Sequence, residues 1–322
     1  MARTRVYRNG VLEAENFPVA KVSDYLEDPA TVVWFDLCEP TAADLESIRE
    51  ELGLHELAVE DALEDHERPK LGRYKTHLFV TAYSVALNTP TGELTAHEVA
   101  AFITHDALVT VRKDRGFDID DVLSRWDKTN VGEVTCGFLL YGLLDYVVDT
   151  HFDAVQSLDN EIEALEDQLF DDKPRDQDVQ RRTFALRKSL VKLRRLALPM
   201  REVVNSLMRR DVDLVDPMLL PYYQDLYDHV LRVIEWTDSL REMVTAILET
   251  QLTARGNRLG VITKQVTSWA AIIAVPTAVT GFYGQNVPYP GFGHVAGFWT
   301  STVIIVGMAC ALYVIFRRKG WL

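Results

Sequence analysis

Two groups of residues in this sequence could bind a metal cation, and they differ in charge. The first group consists of carboxylates and an imidazole in two acidic stretches: Glu60, Asp61, Asp225, Asp228 and His229. The second group is contiguous and uncharged: Tyr283, Gly284, Gln285 and Asn286. Carboxylates hold oxygen-seeking cations such as Mg²⁺, whereas neutral amide and backbone oxygens attract a hydrated ion without trapping it. The alternatives are a solvated acidic surface for the first group and an ordinary turn for the second.

The spacing of the possible ligands argues against a catalytic metal centre. The candidates around the first acidic stretch do not form an HExxH pattern: His55, Glu60, Asp61 and His66. No nucleophile or general base is marked out, so we expect no enzyme activity, with a membrane-anchored metalloenzyme as the alternative. The three cysteines lie far apart and form no CxxC pair: Cys38, Cys136 and Cys310. This pattern predicts neither a disulfide framework nor a thiolate zinc site.

Charge and apolar residues are distributed unevenly along the 322 residues. The formal net charge is −14, which argues against nucleic acid as a partner and leaves metal cations as natural ones. Apolar residues crowd into roughly the last 60 positions, so the sequence predicts a soluble body followed by a membrane-embedded end. Residues 1–17 contain no apolar core of signal-peptide length, and we expect the body to stay in the cytoplasm.

Two uncharged runs, 266–284 and 295–316, are each close to the length of a membrane-spanning helix. The stretch that connects them, 285–294, contains no Lys or Arg. Basic residues stand on the far sides of both runs: Arg255, Arg258, Lys264, Arg317, Arg318 and Lys319. The positive-inside rule therefore predicts two spans with both termini cytoplasmic and the loop outside. A buried helical hairpin in a soluble core is the alternative.

Helical periodicity dominates the middle of the chain. Apolar residues upstream of the first span alternate spacings of four and three: Leu226, Val230, Val233, Thr237, Leu240, Val244 and Ile247. No Pro interrupts 222–275, so we expect one stalk helix that enters the membrane and is on the order of 80 Å long. Before it, an acidic arm at 152–170 and a basic arm at 179–208 predict two antiparallel helices with complementary faces.

The N-terminal part reads as mixed α/β. Four β-branched or aromatic runs, 31–37, 77–87, 94–104 and 107–113, predict strands with antiparallel neighbours. Thr41, with Asp44 three positions on and Gly53 at the end, predicts a capped helix. We place domain boundaries as an α/β cytoplasmic domain at 1–130, a helical hairpin region at 131–216, a stalk helix continuing into the first span at 217–284, an outer loop at 285–294, a second span at 295–316 and a basic tail at 317–322.

At this point the residues resemble a known family. A Pro-containing first span ending in GFYGQN, a charge-poor loop, a second span and a terminal RRKGWL look like the CorA family of magnesium and cobalt transporters. The resemblance covers essentially the whole chain, including LAVEDALEDHERPKLGRY and LPYYQDLYDH in the body. It implies a funnel-shaped homopentamer in the inner membrane whose first spans line a pore for Mg²⁺, with Co²⁺ or Ni²⁺ as further cargo. No organic cofactor is implied.

The sequence departs from the family pattern at two places. Gln285 stands where the family usually has Met, and Gly260 stands where a pore-lining Asn is often found. The choice of cation is therefore open, and zinc transport, as in a related branch, is an alternative. A structural coiled-coil membrane protein is a more distant one.

The resemblance also implies roles for single residues. Asn286, repeated around the pore axis, would supply a ring of amide oxygens at the entrance. Helical spacing back from it predicts a pore lining that is small or apolar: Gly260, Val266, Ile273, Ala274 and Thr277. Asp61 of one subunit would lie near Asp225 of its neighbour, where cytoplasmic Mg²⁺ would hold the channel closed. Regulatory metal is thus expected at the acidic group, with Mg²⁺ serving both as cargo and as regulator.

Overall fold

The computed structural model describes residues 2–64, 68–128, 134–169, 176–209, 216–285, 288–289 and 291–322. These residues form two compact units, Met1–Ala246 and Ile247–Leu322. The first unit contains a sheet and most of the helices, and the second contains two long apolar helical segments.

The first unit is built on a seven-stranded sheet with the strand order β2-β1-β3-β7-β6-β5-β4. Its strands are β1 (Ala2–Arg8), β2 (Val11–Glu15), β3 (Thr31–Cys38), β4 (Lys70–Arg73), β5 (Leu78–Asn88), β6 (Glu93–Ile103) and β7 (Ala107–Arg112). The four strands predicted from the sequence are present. The prediction of antiparallel neighbours is confirmed for β5 with β6 and for β6 with β7, and β3 has an antiparallel neighbour in β1. The prediction missed that β3 also pairs with β7, in parallel. Local turn signals reveal hairpins, but they carry no information about a pairing between strands so far apart in the chain.

The helices of the chain are α1 (Val22–Leu26), α2 (Ala42–Leu52), α3 (Glu56–Leu63), α4 (Ile119–Lys128), α5 (Cys136–Leu169), α6 (Asp176–Leu207), α7 (Leu220–Tyr283) and α8 (Val295–Arg318). The cap predicted for α2 is confirmed: the Asp44 amide donates to Thr41 Oγ1 at 3.2 Å, and the Thr41 amide donates to Asp44 Oδ2 at 2.8 Å. Gly53 ends this helix in the left-handed conformation, with φ at 61°.

Each face of the sheet carries its own hydrophobic core. Side chains alternate along β3, so Trp34 joins one core and Phe35 joins the other. Helices α4, α5, α6 and the first part of α7 cover the Trp34 face, whereas α2 and α3 cover the Phe35 face. The helix that carries Asp61 and the helix that carries Asp225 therefore lie on opposite faces of the same sheet.

The long helices pack as their periodicity predicts. All seven residues of the predicted α7 seam are buried, from Leu226 to Ile247. The expected pairing of the acidic and basic arms is also present, since Glu161 near the end of α5 bonds Arg182 near the start of α6. Helix α5 begins at Cys136, well before the predicted arm, because its first turns are apolar and pack under the sheet.

Among the described residues, two helices, α7 and α8, are long and apolar enough to cross a membrane, and the second unit contains the C-terminal part of α7 and all of α8. Helix α7 continues without interruption through Pro276 as far as Tyr283. Ser268 is 1% exposed, and the ring of Trp269 on α7 lies 6.5 Å from the ring of Tyr313 on α8. One stripe of α7 thus packs inside this unit, and the remainder of its surface is left apolar and open.

Candidate functional site

The uncharged cluster begins at the C-terminal end of α7. The Gly284 amide donates to the Thr280 carbonyl at 2.8 Å, and the Gln285 amide donates to the Phe282 carbonyl at 3.3 Å. A Cβ at position 284 would lie 2.9 Å from the Thr280 carbonyl oxygen. The close approach of the backbone therefore favours glycine at this position. Asn286, the residue on which the predicted oxygen ring depends, lies outside the described residues.

Aromatic rings hold the loop that follows against the end of α7. The ring of Tyr283 meets the ring of Tyr289 edge to face at 4.8 Å, and Tyr289 meets Phe292 in the same way at 5.3 Å. Such edge contacts are a favourable geometry for aromatic pairs. The position of the loop is therefore tied to Tyr283, the first residue of the cluster.

Two glycines dock the loop onto the start of α8. A Cβ at Gly297 would lie 2.5 Å from the Gly291 carbonyl oxygen, so no other residue fits without a shift. Gly291 itself has φ at 94°, a conformation that side chains disfavour. The same turn contains two backbone hydrogen bonds, from His294 to Gly291 at 3.1 Å and from Gly297 to His294 at 3.0 Å.

A cleft of about 540 Å³ lies between the end of α7, the loop and the first turns of α8. Its lining, as far as the chain is described there, is polar and aromatic and carries no carboxylate or ammonium group: Thr280, Tyr283, Gly284, Tyr289, Gly291, Gly293, His294, Gly297, Phe298, Ser301, Thr302 and Ile305. The start of the uncharged cluster and the start of α8 thus share one neutral depression.

All five positions predicted to line the pore are exposed in the single chain: Gly260, Val266, Ile273, Ala274 and Thr277. Val266 and Ile273 are each 63% exposed, in contrast to the buried Ser268. At about 100° per residue, Val266, Ile273 and Thr277 fall on the side of α7 opposite Ser268. That these residues line a pore stays a prediction. Their side of α7 is not covered by the described part of their own chain, so another chain could contact it.

Hydroxyl groups on this segment bond to their own helix. Thr277 Oγ1 donates to the Ile273 carbonyl at 3.1 Å, and Thr280 Oγ1 donates to the Pro276 carbonyl at 2.8 Å. A hydroxyl satisfied in this way costs little in an apolar environment.

The acidic group is divided between two helices. Asp61 on α3 forms an ion pair with Lys70 at 2.6 Å, and Glu60 beside it is exposed. On α7, His229 Nε2 lies 3.8 Å from Asp225 Oδ2 one turn away, and Asp228 is exposed. The role of Lys70 as the partner of Asp61 was not predicted from the sequence.

The acidic residues on α3 and those on α7 do not come together within one chain. Their helices lie on opposite faces of the sheet, and no group of three or more His, Cys, Asp or Glu side chains in the described part of the chain is placed to hold a metal ion. A cation shared by Asp61 and Asp225 would therefore need two chains. His66 of the alternative enzyme hypothesis lies outside the described residues.

One further cluster was missed from the sequence. Arg125 on α4 bonds Asp145 at 3.1 Å and Asp149 at 2.5 Å on α5. Burial, and then the charge of Asp149, raise the pKa of the Asp145 carboxyl, although Arg125 opposes the shift. The available signal was a pair of acids four residues apart inside an otherwise apolar run. Because an arginine already fills this cluster, we assign it a structural role.

The architecture is that of a two-span membrane protein with a large α/β body. A solved structure of the CorA magnesium transporter from Methanocaldococcus jannaschii matches 100% of this chain and 99% of its own, with a TM-score of 0.83 and 23% identity. This likeness confirms the predicted order of α/β domain, long helices and two C-terminal apolar helices.

The sequence comparisons then identify the family. Residues 29–318 match the family described as CorA-like Mg²⁺ transporter protein, and the chain belongs to it. The cobalt/magnesium transport protein CorA of Thermotoga maritima is 28% identical over 98% of this chain and 92% of its own length. The divalent cation transporter CmaX of Pseudomonas aeruginosa is 26% identical over 85% of this chain and 83% of its own. The predicted membership is confirmed, and the chain is a membrane transport protein rather than an enzyme.

Proposed function

We propose that this chain is one subunit of a channel for divalent metal cations, with Mg²⁺ as the main cargo and Co²⁺ or Ni²⁺ as further cargo. The observation that carries the proposal is the neutral, oxygen-bearing end of α7, Tyr283 to Gln285, in a segment without charge from 265 to 316. Mg²⁺ gives up its inner waters reluctantly, so neutral oxygens suit recognition of the hydrated ion. Two relatives are named cobalt/magnesium transport protein CorA, and these names favour Mg²⁺ over zinc as the cargo.

The proposed assembly is a homopentamer in which the first spans surround the pore and the second spans face lipid. The exposed side of α7 supports it, because Val266 and Ile273 present apolar surface that their own chain does not cover. The loop 285–294 faces outward and both termini are cytoplasmic, in the inner membrane of the cell. We keep the domain boundaries drawn from the sequence as part of this proposal.

At the entrance, Asn286 supplies the amide oxygens and Gln285 adds a second amide beside it. Gly284 lets the backbone turn close to Thr280, so Gln285 follows directly on the end of the helix. Further along, the apolar positions give a narrow stretch that can close by losing its water.

The cytoplasmic body senses the cation through Asp61 of one subunit and Asp225 of the next, with Glu60, Asp228 and His229 beside them. Carboxylate oxygens are ligands that Mg²⁺ prefers, directly or through water. Exposed apolar side chains flank both positions, Leu57 and Leu63 on α3, and Met218 and Tyr222 around the start of α7. Apolar side chains exposed beside both positions support a contact with a neighbouring subunit there. Mg²⁺ bound between subunits would offset the repulsion of the acids and favour the closed state.

The test is cation flux into proteoliposomes that contain the full-length protein, measured for Mg²⁺, Co²⁺, Ni²⁺ and Zn²⁺. We expect Mg²⁺ flux, and we expect Asn286→Ala to lower it greatly while the pentamer persists. Asn205→Ala, the same substitution at an exposed position of α6, is the matched control and should keep the flux. Absence of flux for every cation would contradict the proposal. Zinc flux well above Mg²⁺ flux would show that zinc, and not Mg²⁺, is the main cargo.

A further inference from the structure

The second unit contains a single side chain that can change its charge near neutral pH. The chain from 265 to 316 has no Asp, Glu, Lys or Arg, and His294 is its one histidine. Imidazole is the side chain that ordinarily gains or loses charge between about pH 5 and 8. The charge of this whole segment in that range is therefore set by one residue.

His294 lies beside the entrance rather than at a distant point of the segment. It is the exposed N-cap of α8, and its ring does not cap the helix. Its backbone is fixed by hydrogen bonds to Gly291 at 3.1 Å and from Gly297 at 3.0 Å. The cleft of about 540 Å³ is lined both by His294 and by Gly284, the second residue of the uncharged cluster.

Among the described residues, the groups that line the cleft with His294 carry no charge that would compensate a charge on it. The end of α7 contributes Tyr283 to the cleft, the loop contributes Tyr289, and the first turns of α8 contribute hydroxyls and apolar side chains. Phenols and hydroxyls carry no charge between about pH 5 and 8. The positive end of the α8 dipole adds to a charge on His294 rather than cancelling it.

We propose that His294 makes cation influx sensitive to the proton concentration outside. This inference rests on the proposed channel function and topology. Protonation would place one positive charge per subunit around the neutral entrance, within about one Debye length of it, and would repel an approaching divalent cation. Acidification of the outer solution would therefore slow influx, whereas a neutral imidazole would not repel the cation.

The experiment measures Mg²⁺ current through the full-length protein in a voltage-clamped cell membrane, where the orientation is fixed and only the outer pH is changed. Mg²⁺ is the probe because imidazole is a poor ligand for it, so that charge rather than coordination is tested. We expect the current to fall by about threefold to tenfold from about pH 8 to about pH 5.5 at low ionic strength. His294→Gln should remove most of that fall, and His294→Lys should keep the current low throughout.

The matched control is His105→Gln in the body, where the side chain is 90% exposed and the same loss of an imidazole should leave the pH response intact. Salt at about 0.5 M should flatten the wild-type response, because it screens surface charge. A pH response that survives in both His294→Gln and His294→Asn, or a wild type without one, overturns the inference. A wild type without Mg²⁺ current at any pH contradicts the channel function itself, and the inference with it.

Discussion

The carboxylate of Asp36 in the body is completely buried, and Arg112 donates to it at 2.9 Å and 2.6 Å while Thr110 donates at 2.9 Å. In the second unit, by contrast, the chain from 265 to 316 carries no acidic or basic residue, and its threonine hydroxyls bond to their own helix. Both solutions avoid the cost of an unpaired polar group away from water. The body pairs this buried charge, and the stretch from 265 to 316 contains none.

This difference matches two ways of handling a cation. A carboxylate with a paired cation, such as Asp61 with Lys70, can exchange that partner for a metal ion and so respond to concentration. A neutral oxygen cannot bind as tightly, and an ion that meets only neutral oxygens can leave again. Sensing thus suits the charged body, and passage suits the uncharged stretch from 265 to 316.

The largest effect is expected from Arg112→Met, which would leave the Asp36 carboxylate buried without its main partner. We expect the free energy of unfolding of the body to fall by about 3–5 kcal/mol. Thermal and chemical unfolding of the full-length protein in detergent would measure it. The double variant with Asp36→Leu should recover much of the loss, and a single-variant loss below about 1 kcal/mol would contradict the pairing argument.

A smaller effect is expected from Gly297→Ala, which tests the packing of the membrane unit. The methyl group would lie 2.5 Å from the Gly291 carbonyl oxygen, so the loop must shift, at a cost of about 1–3 kcal/mol. We expect a lower melting temperature and several-fold less Mg²⁺ flux for the same amount of protein. Gly307→Ala on the same helix, where nothing lies within 4 Å of the new atom, is the control. Equal behaviour of the two variants would show that the close approach does not matter.

The two regions also differ in how much the sequence reveals. Period and capping predicted the α7 seam and the Thr41 cap correctly, because both depend on residues near one another in the chain. The parallel pairing of β3 with β7 was missed, since it depends on how the chain returns to the sheet.

The same limit applies to the candidate sites. The acids were found from the sequence, but Lys70 as the partner of Asp61, and the placement of Asp61 and Asp225 on opposite sheet faces, required coordinates. The close backbone contact at Gly284 was not predicted, because such a contact cannot be read from composition.

Val266→Asn tests whether the exposed side of α7 faces a pore. A polar amide would wet a narrow apolar stretch, and we expect leak in the closed state to rise by a few fold, about 1 kcal/mol in barrier height. Val303→Asn on α8 is the matched control, since Val303 is 67% exposed and Val266 63% in the single chain. Leak measured by dye fluorescence in proteoliposomes should rise only for Val266. A rise in both, or in neither, would mean that the helix is rotated relative to our assignment.

The smallest effect is expected from Lys70→Met, which removes the cation that Asp61 now holds at 2.6 Å. Both side chains are about one-third exposed, so the pair is worth only about 0.2–1 kcal/mol. Mg²⁺ no longer competes with the ammonium group, and protection of the full-length protein from proteolysis should reach its midpoint at about twofold to fivefold lower Mg²⁺. Lys75→Met, an exposed position just beyond β4, should leave the midpoint unchanged. If Lys70→Met leaves it unchanged as well, while Asp61→Ala abolishes protection, then Asp61 binds the metal without displacing its lysine. If Asp61→Ala also changes nothing, the sensor lies elsewhere in the body.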